Sequence, residues 1–403
     1  MKNSRKMITL INNIGGIITY DLDVGDVVTI KASSVLLEDK LISKINCDSN
    51  IDYDFSIDAN GYFLTPGFVD SHTHLIFSSN RSIDFNKRVS GNTYQEISNS
   101  GGGIKSSIES LRNSTKEELF NACLKNADRI FKSGTTTLEA KSGYGLSLLD
   151  EVKSLEVIRD LNKELDMDII STFMGAHDFP DNLKKESYID LLCNEMIPEV
   201  SNNGLAEFCD VFCEEGYFNH AQTTQIVEKA RDYNLDIKLH VDEFVDSNGA
   251  FLAGELKSIS ADHLMQSNHN GLANMAQNNV VATILPGTTL FLGLQSFANG
   301  KKMINTGCDV AIASDFNPGS NTIYSMPTIM ALASLYCGLS IKESFKAATY
   351  NGAKALKREN SIGLIREGYN ADILFWDINS INEIPYWFNS DRIMMIMKNG
   401  KLI

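Results

Sequence analysis

Phe68-Val69-Asp70-Ser71-His72-Thr73-His74 is an apolar run that closes on two histidines separated by one residue. Alternate residues of a strand share a face, so both imidazoles can point the same way from the end of the run and hold one ion. A single His-x-His is as often structural as chemical, and its weight depends on what else the chain sends to the same place. Seven further apolar runs follow, over residues 136–140, 169–174, 205–212, 236–241, 258–262, 280–284 and 309–313. Helical patterns lie between them at 117–132, 151–165, 220–232 and 297–306. Strands covered on both faces read as continuous apolar runs, and eight of them with helical connections predict an α/β chain folded as a parallel (β/α)8 TIM-type barrel. Doubly wound sheets share the alternation, so the count favours the barrel without excluding the other.

The flanks have a different texture. Short strand patterns at 7–10, 27–31 and 51–55 precede the barrel, and others at 371–376 and 392–397 follow it, the last closed by the turn pair Asn399-Gly400. Neither flank has enough strands to bury a face alone. They are expected to pair into one small β-sandwich domain from residues 1–65 and 358–403, around a barrel at 66–357.

With 36 basic against 51 acidic side chains, the 403-residue chain carries a net charge of −15. Duplex binding needs clustered Lys and Arg, so nucleic acid is not an expected partner. Seven scattered cysteines with no Cys-x-x-Cys suit neither a disulfide framework nor a zinc ribbon. Cys209 and Cys213 read as buried thiols. The N-terminus is basic, but its apolar run is too short for a signal sequence. Residues 263–300 lack Asp, Glu, Lys and Arg, yet contain two His, several Asn and Gln, and Pro286-Gly287. A membrane span needs about 20 mainly apolar residues, so no membrane partner is expected and the cytosol is the expected location.

The remaining polar residues at run ends change the reading of His72 and His74. His240 ends the fifth run and Asp315 follows the eighth. In a parallel barrel these ends meet on the C-terminal face, where barrel enzymes keep their sites. Three neutral imidazoles and one carboxylate suit Zn²⁺ or iron, with room for a water. His263 ends the sixth run on the same rim, and Glu243 follows His240 by three residues, close enough for a turn to bring it to that water. His177 follows the third run. His220 and His269 begin helical patterns away from the rim, where capping or surface roles are expected.

Ser100-Gly101-Gly102-Gly103-Ile104-Lys105-Ser106 resembles a phosphate loop but fails the GxxxxGK[ST] spacing. What remains is a flexible loop or one that presents backbone N–H groups to an anion. Lys354-Ala355-Leu356-Lys357-Arg358 reads as a solvated basic helix face.

Pro66-Gly67-Phe68-Val69-Asp70-Ser71-His72-Thr73-His74 resembles the opening of the amidohydrolase superfamily. Ala140-Lys141-Ser142-Gly143-Tyr144-Gly145-Leu146, Gly175-Ala176-His177 and Ser314-Asp315-Phe316-Asn317-Pro318-Gly319-Ser320 narrow the resemblance to the imidazolonepropionases of histidine breakdown. The resemblance runs from about residue 60 to the C-terminus. It implies opening of the 4-imidazolone-5-propanoate ring by water to N-formimidoyl-L-glutamate, the third step of histidine degradation. It implies one Zn²⁺ or Fe³⁺ per subunit, a homodimer, and His72, His74, His240 and Asp315 as ligands. Arg81 would grip the substrate carboxylate with help from Tyr144 and His177. Asn317, Gly319 and Ser320 would line the site, while Glu243 and His263 would flank the ring and, with Asp315, move protons.

Ser79-Asn80 before Arg81 and Asp178-Phe179 after His177 depart from the family's usual residues, at positions with no carried-over role. Lys141 stands where some binuclear relatives carry a carbamylated lysine, but the fourth run offers Cys213-Glu214-Glu215 in place of a second-metal histidine. A single metal is expected. A ring deaminase would share the histidines and the aspartate but would have no use for Arg81, and a non-catalytic scaffold would not need all four ligands. The implied substrate is an anion approaching an acidic protein, so its recognition must be local.

Overall fold

Turn residues break the first flank into short strands, as alternating apolar and polar residues require of a sheet with one wet face. The computed structural model describes residues 6–47, 51–92, 96–97, 100–389 and 391–403. Its first strands are β1 (Ile8–Asn12), β2 (Gly16–Asp21), β3 (Asp26–Ile30), β4 (Ser34–Glu38), β5 (Leu41–Ile45), β6 (Phe55–Asp58) and β7 (Phe63–Pro66). The basic start at residues 1–5 lies outside the described residues. The strand expected over 51–55 begins only at Phe55. Asp54 is instead a clamp on the start of β1: its carboxylate accepts the Ile8 N–H at 2.9 Å, and its own N–H returns to the Ile8 carbonyl.

β8 (Phe68–Asp70), β9 (Thr135–Lys141), β10 (Asp168–Ala176), β11 (Phe208–Cys213), β12 (Asp236–Val241), β13 (Ser260–His263), β14 (Val281–Ile284) and β15 (Val310–Ile312) make a sheet whose spatial order is its chain order. Every neighbouring pair is parallel. A doubly wound sheet reverses its order at a switch point, and this one does not. The ring closes just beyond β8 and β15, where Thr73 and Phe316 form a parallel bridge and the Asp315 N–H donates to the His72 carbonyl at 3.0 Å. The seam of the barrel therefore runs through the histidine pair.

The covering helices follow their apolar stripes and caps. Helix Lys116–Lys132 starts at a Thr115–Glu118 capping box and buries Leu119, Cys123, Ala127 and Ile130 on one face. His220 and His269 are first residues of helices capped by Asn219 and Asn268. At the opposite end of the barrel, Lys354, Lys357 and Arg358 pair with Asp309, Asp236 and Glu207. Lys354 ends helix Tyr350–Lys354 while Lys357 and Arg358 lie in the turn after it, so the basic patch expected to be a solvated helix face ties that helix end and its following turn to strand starts. The described residues contain no helix long and apolar enough to cross a membrane.

β16 (Ile373–Trp376), β17 (Ile393–Lys398) and β18 (Lys401–Leu402) return to the first flank, β16 pairing antiparallel with β7. Two sheets result, β5-β4-β1-β6 and β18-β17-β16-β7-β2-β3. Ile11, Val35, Leu37, Leu64, Ile373, Phe375 and Met397 from both flanks fill the core between them. Asn399 and Gly400 both take positive φ, 49° and 77°, in the β17–β18 turn, as a tight two-residue hairpin demands.

Candidate active site

His72 and His74 lie just past β8, and His240 lies in β12; all three are buried, with ligand nitrogens or their alternatives within 4.8 Å of one another. The Nε2 atoms of His74 and His240 are 3.3 Å apart, about the separation of two nitrogens bound at about 2.0–2.1 Å to one tetrahedral ion. Asp315 Oδ1 stands 3.7 Å from the Nε2 of both His72 and His74. The buried His72 Nε2 has no hydrogen-bond partner, a costly arrangement unless a cation takes the lone pair.

Carboxylates behind the ring fix the tautomers. Asp262 Oδ2 lies 2.6 Å from His72 Nδ1, and Asp210 Oδ1 lies 3.0 Å from His240 Nδ1. Each carboxylate accepts a hydrogen bond from Nδ1–H, which keeps the proton there and leaves the Nε2 lone pair facing the cluster, the usual support of a metal-binding histidine. Burial, followed by the crowding of other imidazoles and by the Lys141 ammonium, holds His72 and His74 well below the ordinary histidine range, so they remain neutral donors. This donor set and its unpartnered nitrogen fit a divalent metal.

Lys141 is unavailable for carbamylation. Its ammonium sits 2.8 Å from Asp210 Oδ2 and 2.8 Å from Glu139 Oε2. Burial alone would lower its pKa, but Asp210, Glu139 and Asp262 outweigh burial and hold it above the lysine range.

On the rim, His263 Nε2 and Glu243 Oε2 are 3.6 Å apart. Burial, then Asp315 and Glu214, push the Glu243 carboxyl well above its usual value. Asp315 is pushed up by burial to about 6, with hydrogen bonds from Thr288 and Asn317 opposing the rise. His263 and Asp315 hold positive φ of 76° and 52°, a strain of about 1–3 kcal/mol each of the kind found at working sites. Glu214 supports Glu243 by accepting its backbone N–H at 2.8 Å. The adjacent Asp242 has a different job: its carboxylate accepts the N–H groups of Gly249 and Ala250 at the start of the next helix.

His74 and His240 open into a cavity of about 580 Å³ that also reaches Arg81, Tyr144, His177, Glu243, His263, Asp315, Asn317, Gly319 and Ser320. Arg81 Nε donates to Asp84 Oδ2, and that same oxygen accepts the Gly103 N–H. The glycine-rich loop thus does present a backbone N–H to an anion, which is an internal carboxylate. A Cβ on Gly319 would stand 2.0 Å from Arg81 Nη1, so glycine there makes room for the guanidinium. Asn317 accepts the N–H groups of Gly319 and Ser320 and donates to the Asp315 carbonyl. The Ser314–Ser320 motif is therefore a self-bonded turn.

The loop from Lys141 to Leu146 wraps around another carboxylate. Glu151 accepts the N–H groups of Gly143, Gly145 and Leu146 at 3.0, 2.8 and 2.8 Å. This leaves the Gly143 carbonyl 3.0 Å from His177 Nδ1.

The sequence pattern assigned no supporting role to Asp84, Glu139, Glu151, Asp210, Glu214, Lys238 or Asp262. For four of these a signal was present: a fully charged residue inside an apolar strand, as in Phe208-Cys209-Asp210-Val211 or Ile237-Lys238-Leu239, must find a buried partner. Arg88 also lines the cavity, donating to the Gly319 and Phe291 carbonyls from the helix that follows Arg81.

Residues 63–403 match the Amidohydrolase family. An imidazolonepropionase of Brevibacillus brevis is 41% identical over 384 residues, covering 93% of this chain and 90% of the relative. One from Clostridium tetani is 38% identical over 411 residues, covering 100% and 97%. Among solved structures, an adenosine deaminase from Xanthomonas campestris with bound zinc aligns with a TM-score of 0.75 at 16% identity, over 98% of this chain and 92% of that one. That last likeness is one of fold. A barrel ring closed through the histidine pair, with relatives of this identity along nearly the whole chain, places the protein: it belongs to the amidohydrolase family and, within it, to the imidazolonepropionases.

Proposed function

We propose that this chain hydrolyses the cyclic amide of 4-imidazolone-5-propanoate to N-formimidoyl-L-glutamate, in histidine degradation. The observation that carries the reading is one cavity lined both by His74 and His240 of the histidine cluster and by an arginine fixed by its own carboxylate partner. A Zn²⁺ or Fe³⁺ ion held by His72, His74, His240 and Asp315 would supply an acidified water and a polarising charge for the ring carbonyl.

The protein groups divide the remaining work. With Nε occupied by Asp84, Arg81 offers the other edge of its guanidinium to the propanoate, a planar match for a carboxylate. Tyr144 stands in the same cavity as a second donor. His177 takes a role different from the one expected of it. The Gly143 carbonyl can only accept, so the His177 proton is on Nδ1 and its Nε2 is an acceptor. Burial, then His240, lowers its pKa to about 4. A neutral acceptor serves a ring N–H and would repel a carboxylate.

Two carboxyls with different affinities for protons suit an acid–base pair. Asp315, at about 6, is ionised at neutral pH and accepts the proton of the attacking water on its carboxylate. Glu243, whose protonated form burial favours, delivers one from its carboxyl to the departing ring nitrogen. His263, beside Glu243, faces the oxygen that gains charge.

Substrate discrimination tests the assignment. Turnover of 4-imidazolone-5-propanoate, followed as loss of its chromophore, is compared with an imidazolone lacking the propanoate arm and with an aminopurine. The armed imidazolone should be preferred by at least tenfold in kcat/KM, since one charge-assisted contact contributes about 1.5–3 kcal/mol. Preference for deamination of the aminopurine would reject it.

A further inference from the structure

Behind the histidines lies a closed set of charges. Glu139, Lys141, Asp210, Lys238 and Asp262 are all fully buried in the barrel interior. Glu139 Oε1 accepts hydrogen bonds from Lys141 Nζ at 2.9 Å and Thr172 Oγ1 at 2.6 Å, and Lys238 Nζ lies 3.1 Å from it. Each ammonium then reaches toward one ligand. Lys141 meets Asp210, which holds His240, and Lys238 lies 3.8 Å from Asp262, which holds His72. Lys238 also donates to the carbonyl of Ser71, directly before His72. The backbone carbonyl of Glu139 accepts Thr73 Oγ1, between the two histidines.

We propose that Glu139 is a positioning residue for the metal site: it spaces the two lysines, which in turn fix the carboxylates that aim the Nε2 lone pairs of His72 and His240. Glu139 is where the His72 and His240 supports meet. Without its charge Lys238 is free to close the 3.8 Å to Asp262, and Lys141, held on one side only, to shift with Asp210, which turns the imidazoles away from a common point. Support of this kind behind metal ligands typically governs about 10–100-fold in affinity. The inference rests on the metal reading of the cluster.

The test compares the wild type with Glu139→Gln and Thr172→Val, the latter removing only the hydroxyl that steadies Glu139. Metal-free proteins are titrated with Zn²⁺ alone against a chromophoric chelator, and their thermal unfolding is recorded in parallel. Folded Glu139→Gln should bind Zn²⁺ about 10–100-fold more weakly, and Thr172→Val about fivefold more weakly, as the loss of one hydrogen bond would give. At saturating metal, kcat falls and KM for the imidazolone is unchanged. A purely structural role would lower the unfolding temperature and leave the affinity of the folded protein at the wild-type value, which overturns the proposal. If Glu139→Gln does not fold, Thr172→Val decides: wild-type affinity rejects the role and weakened affinity supports it. A wild type that takes up neither Zn²⁺ nor iron would reject the metal reading itself, and the inference with it.

Discussion

Asp84 Oδ2 lies 2.8 Å from Arg81 Nε, three residues away on the turn that opens helix Ser82–Val89. This pairing uses the side edge of the guanidinium and leaves the terminal nitrogens for the cavity. Arg81→Ala should raise KM by about 10–150-fold, the worth of a charge-assisted contact, while bound metal stays at the wild-type level. Metal loss in this variant would show that Arg81 is part of the metal site and not a carboxylate clamp.

Gly319 gives a gentler probe of the same contact. Its Cβ would fall 2.0 Å from Arg81 Nη1, the far end of a flexible side chain. Gly319→Ala should therefore keep a near-normal unfolding temperature, because the arginine can swing aside, and raise KM because it has done so. An unchanged KM would mean that Arg81 does not work from the position it holds here.

Glu243 is the proposed proton donor. Glu243→Gln keeps the shape of the side chain and its hydrogen-bonding reach but cannot donate an acidic proton. A fall in kcat of about 10²–10⁴-fold is expected, the usual contribution of general acid–base catalysis, with metal content unchanged by elemental analysis. Near-normal turnover would remove Glu243 from proton transfer.

Buried neutral histidines also shape the acid stability of the metal-free protein. His72, His74 and His263 are held well below the ordinary value by burial, and His177 lies at about 4 for the same reason. As pH falls below the unfolded value of about 6.5, the unfolded chain takes up protons that the folded chain refuses. The folded metal-free state should therefore lose up to about 1.4 kcal/mol per histidine per pH unit below about pH 6 and show no such loss between pH 7 and 8. Asp315 and Glu243, raised by burial, act with the opposite sign over the same range, so denaturant titrations at pH 7.5, 6.5 and 5.5 compare the wild type with His177→Gln; an equal pH slope in the two would show that His177 is not buried as a neutral group.

Lys141 supplies a chemical test. Held between Asp210 and Glu139 as an ammonium, it has no lone pair for carbon dioxide. Activity should be the same in bicarbonate-free and bicarbonate-rich buffer. Stimulation by bicarbonate would point to a carbamate and a second metal.

The outer plan of the molecule was legible because it rests on patterns the chain repeats: eight doubly covered strands spell themselves as apolar runs, and polar residues at run ends stand out against them. His72, His240 and Asp315 could be placed on one rim in this way. The supporting carboxylates could not be assigned, because nothing local says that Asp210 in β11 meets His240 in β12 rather than facing a helix. That depends on strand register, which is set by packing around the whole ring. The tautomer of His177 depends in turn on the Gly143 carbonyl, which Glu151 aims from a separate helix. The expected strand at 51–55 failed for a local reason, since Asp54 spends its polar groups on β1.

The most direct test of a metal-dependent imidazolone hydrolase is to strip the protein with a chelator and restore metal in sub-stoichiometric steps. Loss of the 4-imidazolone-5-propanoate chromophore is assayed at each step. The account predicts no activity in the stripped protein and a linear return that breaks at one ion per chain. Full activity without metal, or a break at two ions, would contradict it.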